Sequence, residues 1–286
     1  MRRSGFGFWI GMTILLLWSL VPIYWFVRMA FLTHAQIARF PPAIVPTHLD
    51  IGAFFNIFGF DYRMADGTVM PASGQSDQII NGLQNSLIVS AIVTVITIVI
   101  VVPLAYVFAR LDFRFKNLLL NAVLLAVAIP PVSTLIPFYS MYVQLGLVGT
   151  LPGLVIVDLT TTVPFVAWML IGYFRNLPPI ERLARVDGYS RIHTLLFLVL
   201  PLARSGVAVA AIIAFLFAWN EFTFALILVN GTPATTLPAA ISGFLGQDPD
   251  PASLSACLAL TILPPALVAY FLQRRVAEMN LADPVR

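Results

Sequence analysis

The chain has 286 residues, of which 59% are hydrophobic and only 10% are charged, and its formal net charge is +3. A soluble globular domain carries about 25% charged residues, so this composition excludes a soluble domain and predicts a protein that lies within a membrane. A single cysteine, Cys257, excludes a disulfide framework and a cysteine-based metal site.

Six segments are apolar enough to cross a bilayer, for which about 20 residues are needed. They are about 8–31, 85–109, 117–142, 151–174, 203–229 and 255–274. The first follows Arg2 and Arg3, but it is longer than the apolar part of a signal peptide and lacks a small-residue cleavage site. It is therefore predicted to be a retained anchor. The sequence predicts an all-α integral membrane protein with six transmembrane helices.

Basic residues are distributed unevenly among the segments that connect these helices. Of the 16 lysines and arginines, 13 lie in the N-terminal tail, the 110–116 loop, the 175–204 segment and the C-terminal tail. Residues 143–150 and 230–254 contain none. Because basic residues concentrate on the cytoplasmic side of a membrane, both termini are predicted to be cytoplasmic.

Two segments are predicted to be external. In residues 32–84, the proline-rich stretch 40–46 is expected to be extended, and the Gly-, Ser- and Asp-rich stretch 61–77 is expected to be a loop. Two interpretations of 32–84 are open: a contact for an external solute-binding protein, or a connecting loop with one amphipathic stretch at 51–60. Within 230–254, LPAAISGFL is predicted to form a short interfacial or re-entrant helix.

Three prolines lie close together in the third span. AIPPVSTLIPFY places Pro130, Pro131 and Pro137 within about two helical turns. Proline frees backbone carbonyls and bends a helix, which membrane proteins tolerate where neighbours or water satisfy the backbone. Pro131 therefore marks either a gating or pore-lining bend, or a kink that serves packing alone.

An acidic residue lies inside the fourth span, at Asp158. A charge at the centre of a membrane costs about 2.5–3.5 kcal/mol on insertion scales, so such a residue faces the helix bundle or a water-filled cavity. With neighbouring threonines such as Thr161, Asp158 is a candidate to hydrogen-bond a polyol in a pathway. The alternative is that it lies near the external interface or pairs with a neighbouring helix.

The fifth span contains the sequence Trp219-Asn220-Glu221. The polar pair lies beyond the middle of the membrane when the helix starts near Arg204. It is predicted to cap an internal break in the helix or to contact a second subunit. A direct role in a solute pathway is the alternative.

Residues 175–201, RNLPPIERLARVDGYSRIHTLLFLVLP, form the longest basic interruption of the apolar sequence. Pro178 and Pro179 favour a helix start, Gly188 suits the left-handed position that ends a helix, and Ser190 is suited to cap a second helix. Two short helices at an angle are predicted, too polar and too short to cross a membrane. Such a segment indicates a docking element for another protein.

The first of these two helices is predicted to have two faces. Apolar residues Ile180, Leu183 and Ala184 fall on one face. The other face carries Glu181, Arg182 and Arg185.

Several motifs of the chain resemble those of one family. ARVDGYS, followed by LPLARSG, resembles the EAA loop of ABC importer permeases. AWNEFTFAL (218–226) and TLPAAISGF (236–244) are similar to segments of the carbohydrate-uptake branch, which includes the maltose permease subunit MalG. QNSLIVS (84–90) resembles the start of the family's transmembrane core. The resemblance covers about residues 84–274 and implies the ABC type I importer permease architecture, with a cytoplasmic helical coupling loop.

This resemblance implies a permease subunit of an ATP-driven, binding-protein-dependent importer of a sugar or oligosaccharide in a prokaryotic inner membrane. The implied partners are a second permease in a heterodimer, two cytoplasmic ATPase subunits that bind ATP and Mg²⁺, an external solute-binding protein and the lipid bilayer. The implied coupling residues are Glu181, Arg182, Ala184, Arg185, Asp187 and Gly188. Arg182 occupies the position of the family's usual Glu, and Leu183 the position of the first Ala.

The apolar segments, the charge distribution and the resemblance together give the expected organisation of the chain. Residues 1–31 form the tail and first helix, 32–84 an external segment, 85–274 the permease core with the coupling loop at about 175–201, and 275–286 a cytoplasmic tail.

The sequence lacks the common catalytic motifs. It contains no GxxxxGK[ST], HExxH or GxSxG, so this chain is predicted not to be an enzyme, to carry no cofactor or metal, and to bind no nucleic acid. Other hypotheses remain open: glycerol-3-phosphate or a polyol as the solute, and two different classes of protein. A secondary transporter requires broken or charged midplane helices that serve ions, and a membrane-embedded hydrolase requires a nucleophile and a base at matched depth.

Overall fold

A computed structural model describes residues 6–41, 44–46, 48–64, 67–246 and 249–279. Within this part of the chain, five helical stretches are long and apolar enough to cross a membrane, and a bent pair of shorter helices forms either a sixth, broken span or a re-entrant loop. The predicted all-α membrane class is confirmed. The basic residues Arg2 and Arg3, and the last part of the C-terminal tail (280–286), lie outside the described residues.

The elements follow one another in chain order. The first half contains α1 (Phe6–Met29), α2 (His34–Ile37), α3 (Gly52–Ile57), β1 (Tyr62–Arg63), β2 (Val69–Met70), α4 (Ser76–Arg110), α5 (Lys116–Ala128) and α6 (Pro131–Leu145). The second half contains α7 (Leu151–Arg175), α8 (Glu181–Val186), α9 (Arg191–Thr194), a π-helical turn (Leu195–Val199), α10 (Leu200–Leu202), α11 (Arg204–Trp219), α12 (Thr223–Leu228), α13 (Leu237–Ile241), α14 (Gly243–Gly246) and α15 (Pro251–Met279).

The third span is not the single helix predicted over 117–142. Helices α5 and α6 meet at a bend of 92°. The residue before a proline is driven out of the helical conformation, and Ile129 and Pro130 are both extended, with ψ angles of 117° and 132°. Pro131 then occupies the first turn of α6, where a proline is tolerated. Two consecutive prolines therefore break this span rather than kink it.

The second span begins earlier than predicted. Helix α4 starts at Ser76, nine residues before the expected position 85. Its first two turns contain Asp, Gln and Asn, so they were not predicted to be part of the apolar span. Asp77 in the first turn complements the positive end of the helix dipole, which favours a helix in spite of that polarity.

The contacts divide the chain into two compact units, Met1–Ile80 with Ala240–Pro264, and Asn81–Ala239 with Pro265–Arg286. In the first unit, the stretch 61–77 was predicted to be a loop, but it contains an antiparallel hairpin in which Tyr62 pairs with Met70 and Arg63 with Val69. The prediction missed these strands because each has only two residues, too few to show an alternating pattern.

Asp250 ties two segments of the first unit together. Its carboxylate accepts hydrogen bonds from the backbone N–H groups of Ala252 (3.0 Å) and Ser253 (3.1 Å) at the start of α15. It also lies 2.9 Å from Nε2 of His34 at the start of α2. Burial of this carboxyl group raises its pKa, but the hydrogen bonds from Ser253 and His34 outweigh burial and lower the pKa overall. The ionised form therefore caps α15.

Two apolar clusters hold the second unit together. One contains Val101, Phe174 and Ala210 and packs α4, α7 and α11 against one another. The other contains Val89 and Phe224 and joins α4 to α12. Small residues in α11, such as Ala210, let the helix backbones approach closely, as is typical of helix pairs in membranes. This packing places the end of α7 and the start of α11 on either side of the polar 175–201 segment.

The segment that precedes α13 packs against α4. The side-chain amide of Asn85 donates hydrogen bonds to the carbonyl groups of Pro233 (2.9 Å) and Thr235 (2.8 Å). The hydroxyl of Ser86 accepts one from the N–H of Leu237 at 2.9 Å. Leu237 is fully buried. The short helix expected here is confirmed, and its first residue is buried against α4.

Candidate functional site

The turn between α8 and α9 forms as its sequence predicts. Gly188 has a φ of +82°, in the left-handed region that favours glycine. Its N–H donates to the carbonyl of Arg185 (3.2 Å), and the N–H of Tyr189 donates to that of Ala184 (2.9 Å). These two bonds define a Schellman motif. Helix α8 starts at Glu181 rather than at the prolines, which lie just before it.

The second short helix is also capped as predicted. The hydroxyl of Ser190 accepts a hydrogen bond from the backbone N–H of His193 at 3.3 Å. The imidazole of His193 stacks between the rings of Tyr189 (5.0 Å) and Phe197 (4.3 Å). The cap and the stacked rings fix α9 relative to the turn. Residues 175–201 are called the coupling segment from here on.

Arg110, which lies outside the coupling segment at the end of α4, holds that segment in place through its inward-facing side. Nε of Arg110, the last residue of α4, lies 3.1 Å from Oε1 of Glu181, and the two side chains are only 11% and 15% exposed. The same guanidinium donates from Nη2 to the carbonyl groups of Leu177 (2.6 Å) and Pro178 (3.2 Å). Arg110 therefore fixes both the start of α8 and the turn before it. The sequence prediction did not identify this role and counted Arg110 only among the basic residues of the 110–116 loop.

This brace determines which face of α8 points outward. Glu181 and Ala184, three residues apart, point inward, and Ala184 is only 2% exposed. Leu183 was predicted to share the face of Ala184, but it is 69% exposed. Leu183 was therefore wrongly predicted to lie on the buried, apolar face. Glu181 was wrongly predicted to lie on the exposed, polar face. The ion pair with Arg110 sets the rotation of so short a helix more strongly than its hydrophobic pattern does.

The outward surface of the coupling segment combines apolar and charged side chains. Leu183, Val186 and Ile192 are 69%, 85% and 73% exposed. Three of the expected coupling residues are exposed around them: Arg182, Arg185 and Asp187. The combination of apolar side chains with a charged rim resembles the surface of a protein interface. We call Leu183, Val186 and Ile192 the apolar knob; the prediction missed Val186 and Ile192.

Removal of the Arg110–Glu181 pair is expected to loosen the coupling segment. Glu181→Gln leaves the Arg110 guanidinium without its counter-charge in a mostly buried site, which costs up to about 3–5 kcal/mol. We expect faster tryptic cleavage after Arg182 and Arg185 in the membrane-embedded protein. The control is Asp112→Asn, which removes the exposed ion pair with Lys116. Equal cleavage rates in the two variants would contradict a bracing role.

A break in the fifth span is confirmed at the predicted position. Helix α11 ends at Trp219, and the carboxylate of Glu221 accepts hydrogen bonds from the N–H groups of Phe224 (2.7 Å) and Ala225 (2.9 Å) in α12. The amide of Asn220 donates to the carbonyl of Leu216 at 2.8 Å. Both polar residues thus satisfy backbone groups at the break. Trp219 is fully buried and stacks on Phe215, with ring centroids 5.8 Å apart.

Asp158 is buried in α7, with 1% of its surface exposed. Neither of its carboxylate oxygens has a hydrogen-bond partner in the part of the chain that the structure describes. The hydroxyl of Thr161 donates instead to the backbone carbonyl of Asp158 at 3.0 Å. Asp158 lies close enough to Glu221 for electrostatic interaction. The structure thus brings Asp158 near the break in the fifth span, while Pro131 stands apart at the bend between α5 and α6.

The transmembrane core and the coupling segment match one protein family. Residues 101–278 match the family described as binding-protein-dependent transport system inner membrane component. The chain belongs to this family. This permease is 33% identical over 206 residues to the trehalose transport system permease protein SugB of Mycobacterium tuberculosis, an alignment that covers 71% of the chain and 75% of SugB. It is 30% identical over 272 residues to the sulfoquinovosyl glycerol transport system permease protein SmoH of Agrobacterium fabrum. That alignment covers 94% of the chain and 90% of SmoH.

A solved structure shares the fold of this permease. A bacterial ABC transporter involved in the import of the acidic polysaccharide alginate contains a chain that superposes with a TM-score of 0.76. The match covers 96% of this permease and 98% of that chain, at 18% sequence identity. The resemblance to ABC importer permeases seen in the sequence is confirmed, and so is the predicted fold. This permease is a membrane transport subunit with several spans.

Proposed function

We propose that this permease forms half of the translocation pathway of an ATP-driven importer and that its coupling segment docks on a cytoplasmic ATPase subunit. The apolar knob carries this proposal. Three aliphatic side chains are exposed on a segment that is too polar to enter lipid, which favours a protein partner. The brace between Arg110 and Glu181 keeps this surface rigid, and a rigid surface can transmit movement of the partner to the helices.

The charges around the knob define the proposed contact. Arg182, Arg185 and Asp187 form a charged rim that fixes the orientation of a docked partner, as rim charges do in other interfaces. Glu181, Ala184 and Gly188 shape the segment from within. The ATPase subunit would supply the site for ATP and Mg²⁺. The distribution of basic residues supports a cytoplasmic location for this surface and for both termini.

The proposed solute is a sugar or oligosaccharide. Support comes from the names of the relatives, which transport trehalose and sulfoquinovosyl glycerol. A second, related permease would complete the pathway as a heterodimer, and an external solute-binding protein would deliver the sugar to it.

The broken spans are the proposed moving parts. Glu221 and Asn220 satisfy the backbone at a break in the fifth span, and Trp219 anchors α11 beside that break. Pro131 stands at the bend between α5 and α6. Rotation about these points would open the pathway to one side of the membrane or to the other, and Asp158 would lie near the pathway. The ATPase drives this change only if ATP-bound ATPase binds the two states with different affinity.

Purification of the tagged permease from gently solubilised native membranes tests the proposed function. Mass spectrometry is expected to identify an ATPase with a P-loop and a second permease in stoichiometric amounts. The ATPase activity of the complex is expected to rise when the binding protein and its sugar are added. Recovery of the permease alone, or as a homo-oligomer without an ATPase, would contradict the proposal and favour a secondary transporter.

A further inference from the structure

A cavity with a polar and an apolar part lies between α5 and α7, and Arg175 is its one lining residue that belongs to the coupling segment. Its volume is about 340 Å³. It is lined by Asn117, Leu120, Asn121, Val123, Leu124, Trp168, Ile171, Gly172 and Arg175. The lining contains one cation and no carboxylate, which favours a ligand with negative charge. Nothing in the proposed coupling or gating requires this cavity.

The polar side chains of the cavity are available to a ligand. Asn117 and Asn121 are four residues apart on α5 and therefore lie on one face of that helix. Arg175 is the last residue of α7. None of the three makes a hydrogen bond or ion pair with a residue that the structure describes. Two amides and a guanidinium together supply several hydrogen-bond donors, and a guanidinium binds phosphate oxygens in a bidentate way.

The cavity is polar at one end and apolar at the other. Asn117 and Arg175 lie at the ends of their helices, on the side of the coupling segment. Leu124 and Trp168 lie seven residues further into the same two helices, a depth of about 10 Å at 1.5 Å per residue. A tryptophan at this depth is typical of the interface between lipid headgroups and acyl chains. The polarity changes along the cavity as it does along a phospholipid.

Gly172 provides the space at the middle of the cavity. A Cβ at this position would meet no atom within 4 Å. A larger side chain here would therefore fill the cavity without disturbing the packing of α7. This permits a steric test that leaves every charge unchanged.

We propose that this cavity binds one anionic phospholipid of the cytoplasmic leaflet. Its phosphate would lie between Arg175 and the two asparagine amides, and its acyl chains would extend along Leu124 and Trp168. Basic pockets between transmembrane helices on the cytoplasmic side are suited to anionic headgroups. Free phosphate shares the charge but not the apolar part, so the apolar end of the cavity favours the lipid. The proposal rests on the cytoplasmic orientation proposed above.

The test measures lipid retained by the purified transporter complex. The complex is equilibrated with vesicles of equal parts phosphatidylglycerol and phosphatidylcholine, purified, and examined by native mass spectrometry. Wild type is expected to retain phosphatidylglycerol in preference to phosphatidylcholine. Arg175→Gln is expected to lower this retention about fivefold, the effect of one basic residue near an anionic surface. Gly172→Leu is expected to lower it at least as much.

Two matched variants serve as controls. Arg114→Gln removes another exposed arginine near the start of α5, one that lies over the ring of Phe115. Gly11→Leu enlarges a helical glycine that is as open as Gly172. Both are expected to retain phosphatidylglycerol as wild type does.

Four results would overturn the proposal. The first two are equal retention of both lipids by wild type and unchanged retention in Gly172→Leu. The third is displacement of the lipid by millimolar inorganic phosphate, which would assign the cavity to a free anion. The fourth is the absence of bound lipid from the intact complex, as expected if the second permease covers the cavity. An ATPase that co-purifies without bound lipid would refute the lipid site alone. Bound lipid without an ATPase would refute the coupling proposal alone.

Discussion

Leu183→Asp is expected to detach the ATPase from the permease and to lower sugar uptake by at least about tenfold, which corresponds to about 1.4 kcal/mol of binding free energy. Leu183 is 69% exposed in the structure and would become buried in the proposed contact. A carboxylate placed there would lose its hydration on docking without gaining a partner. Hot-spot side chains at protein interfaces cost about 2 kcal/mol or more when they are removed, so the effect should be readily measured.

The measurement is the ratio of ATPase to permease after affinity purification, together with uptake of labelled sugar. Leu49→Asp is the matched control, since Leu49 is 71% exposed and lies in the predicted external segment. The control should co-purify with the ATPase in the wild-type ratio. Quantitative recovery of the ATPase with Leu183→Asp would show that the apolar knob is not the docking surface.

The local structure of the coupling segment is largely predictable from its sequence. Gly188 ends α8 and Ser190 caps α9 because each effect depends on a single residue and its nearest backbone groups. The break near Asn220 and Glu221 is predictable for the same reason, since a carboxylate inside an apolar helix needs N–H groups to accept from. Features that depend on a few neighbouring residues can be derived from a sequence.

The orientation of α8 is not predictable in this way. It depends on Arg110, which is 67 residues from the carbonyl of Leu177 that it binds. A six-residue helix has too few turns for its hydrophobic pattern to determine its rotation. A single partly buried ion pair therefore reverses the exposure expected of Leu183 and Glu181. A long-range contact therefore determines which side chains of the proposed site are exposed, whereas the local sequence determines its backbone conformation.

The bend at Pro130 shows a different limit. The prolines predicted a bend, but not an angle of 92°. The angle depends on how α5 and α6 pack against α7 and α12, which the sequence of the bend does not contain. The roles of Asp158 and Thr161 meet the same limit, because the hydroxyl of Thr161 satisfies the backbone of α7 rather than the carboxylate.

Gly188→Val is expected to lower transport by about tenfold or more while the permease still inserts into the membrane. An L-residue in the left-handed conformation costs about 1–2 kcal/mol, and a β-branched residue such as valine fits it especially poorly. No atom lies within 4 Å of a Cβ at Gly188, so the penalty is conformational rather than steric. The turn is expected to open, which moves Ile192 in α9 away from its position beside α8 and so disrupts the apolar knob.

Gly146→Val separates this effect from general loss of stability. Gly146 ends α6 with a φ of +66° and the same Schellman pattern of hydrogen bonds, and its Cβ position is equally open. The two substitutions therefore impose similar strain at opposite sides of the proposed membrane. Sugar-stimulated ATPase activity should fall in Gly188→Val and persist in Gly146→Val. Gly188→Asn should restore most of it, because asparagine tolerates the left-handed region. If both valine variants lose activity equally, the turn at Gly188 contributes to stability but has no special part in coupling.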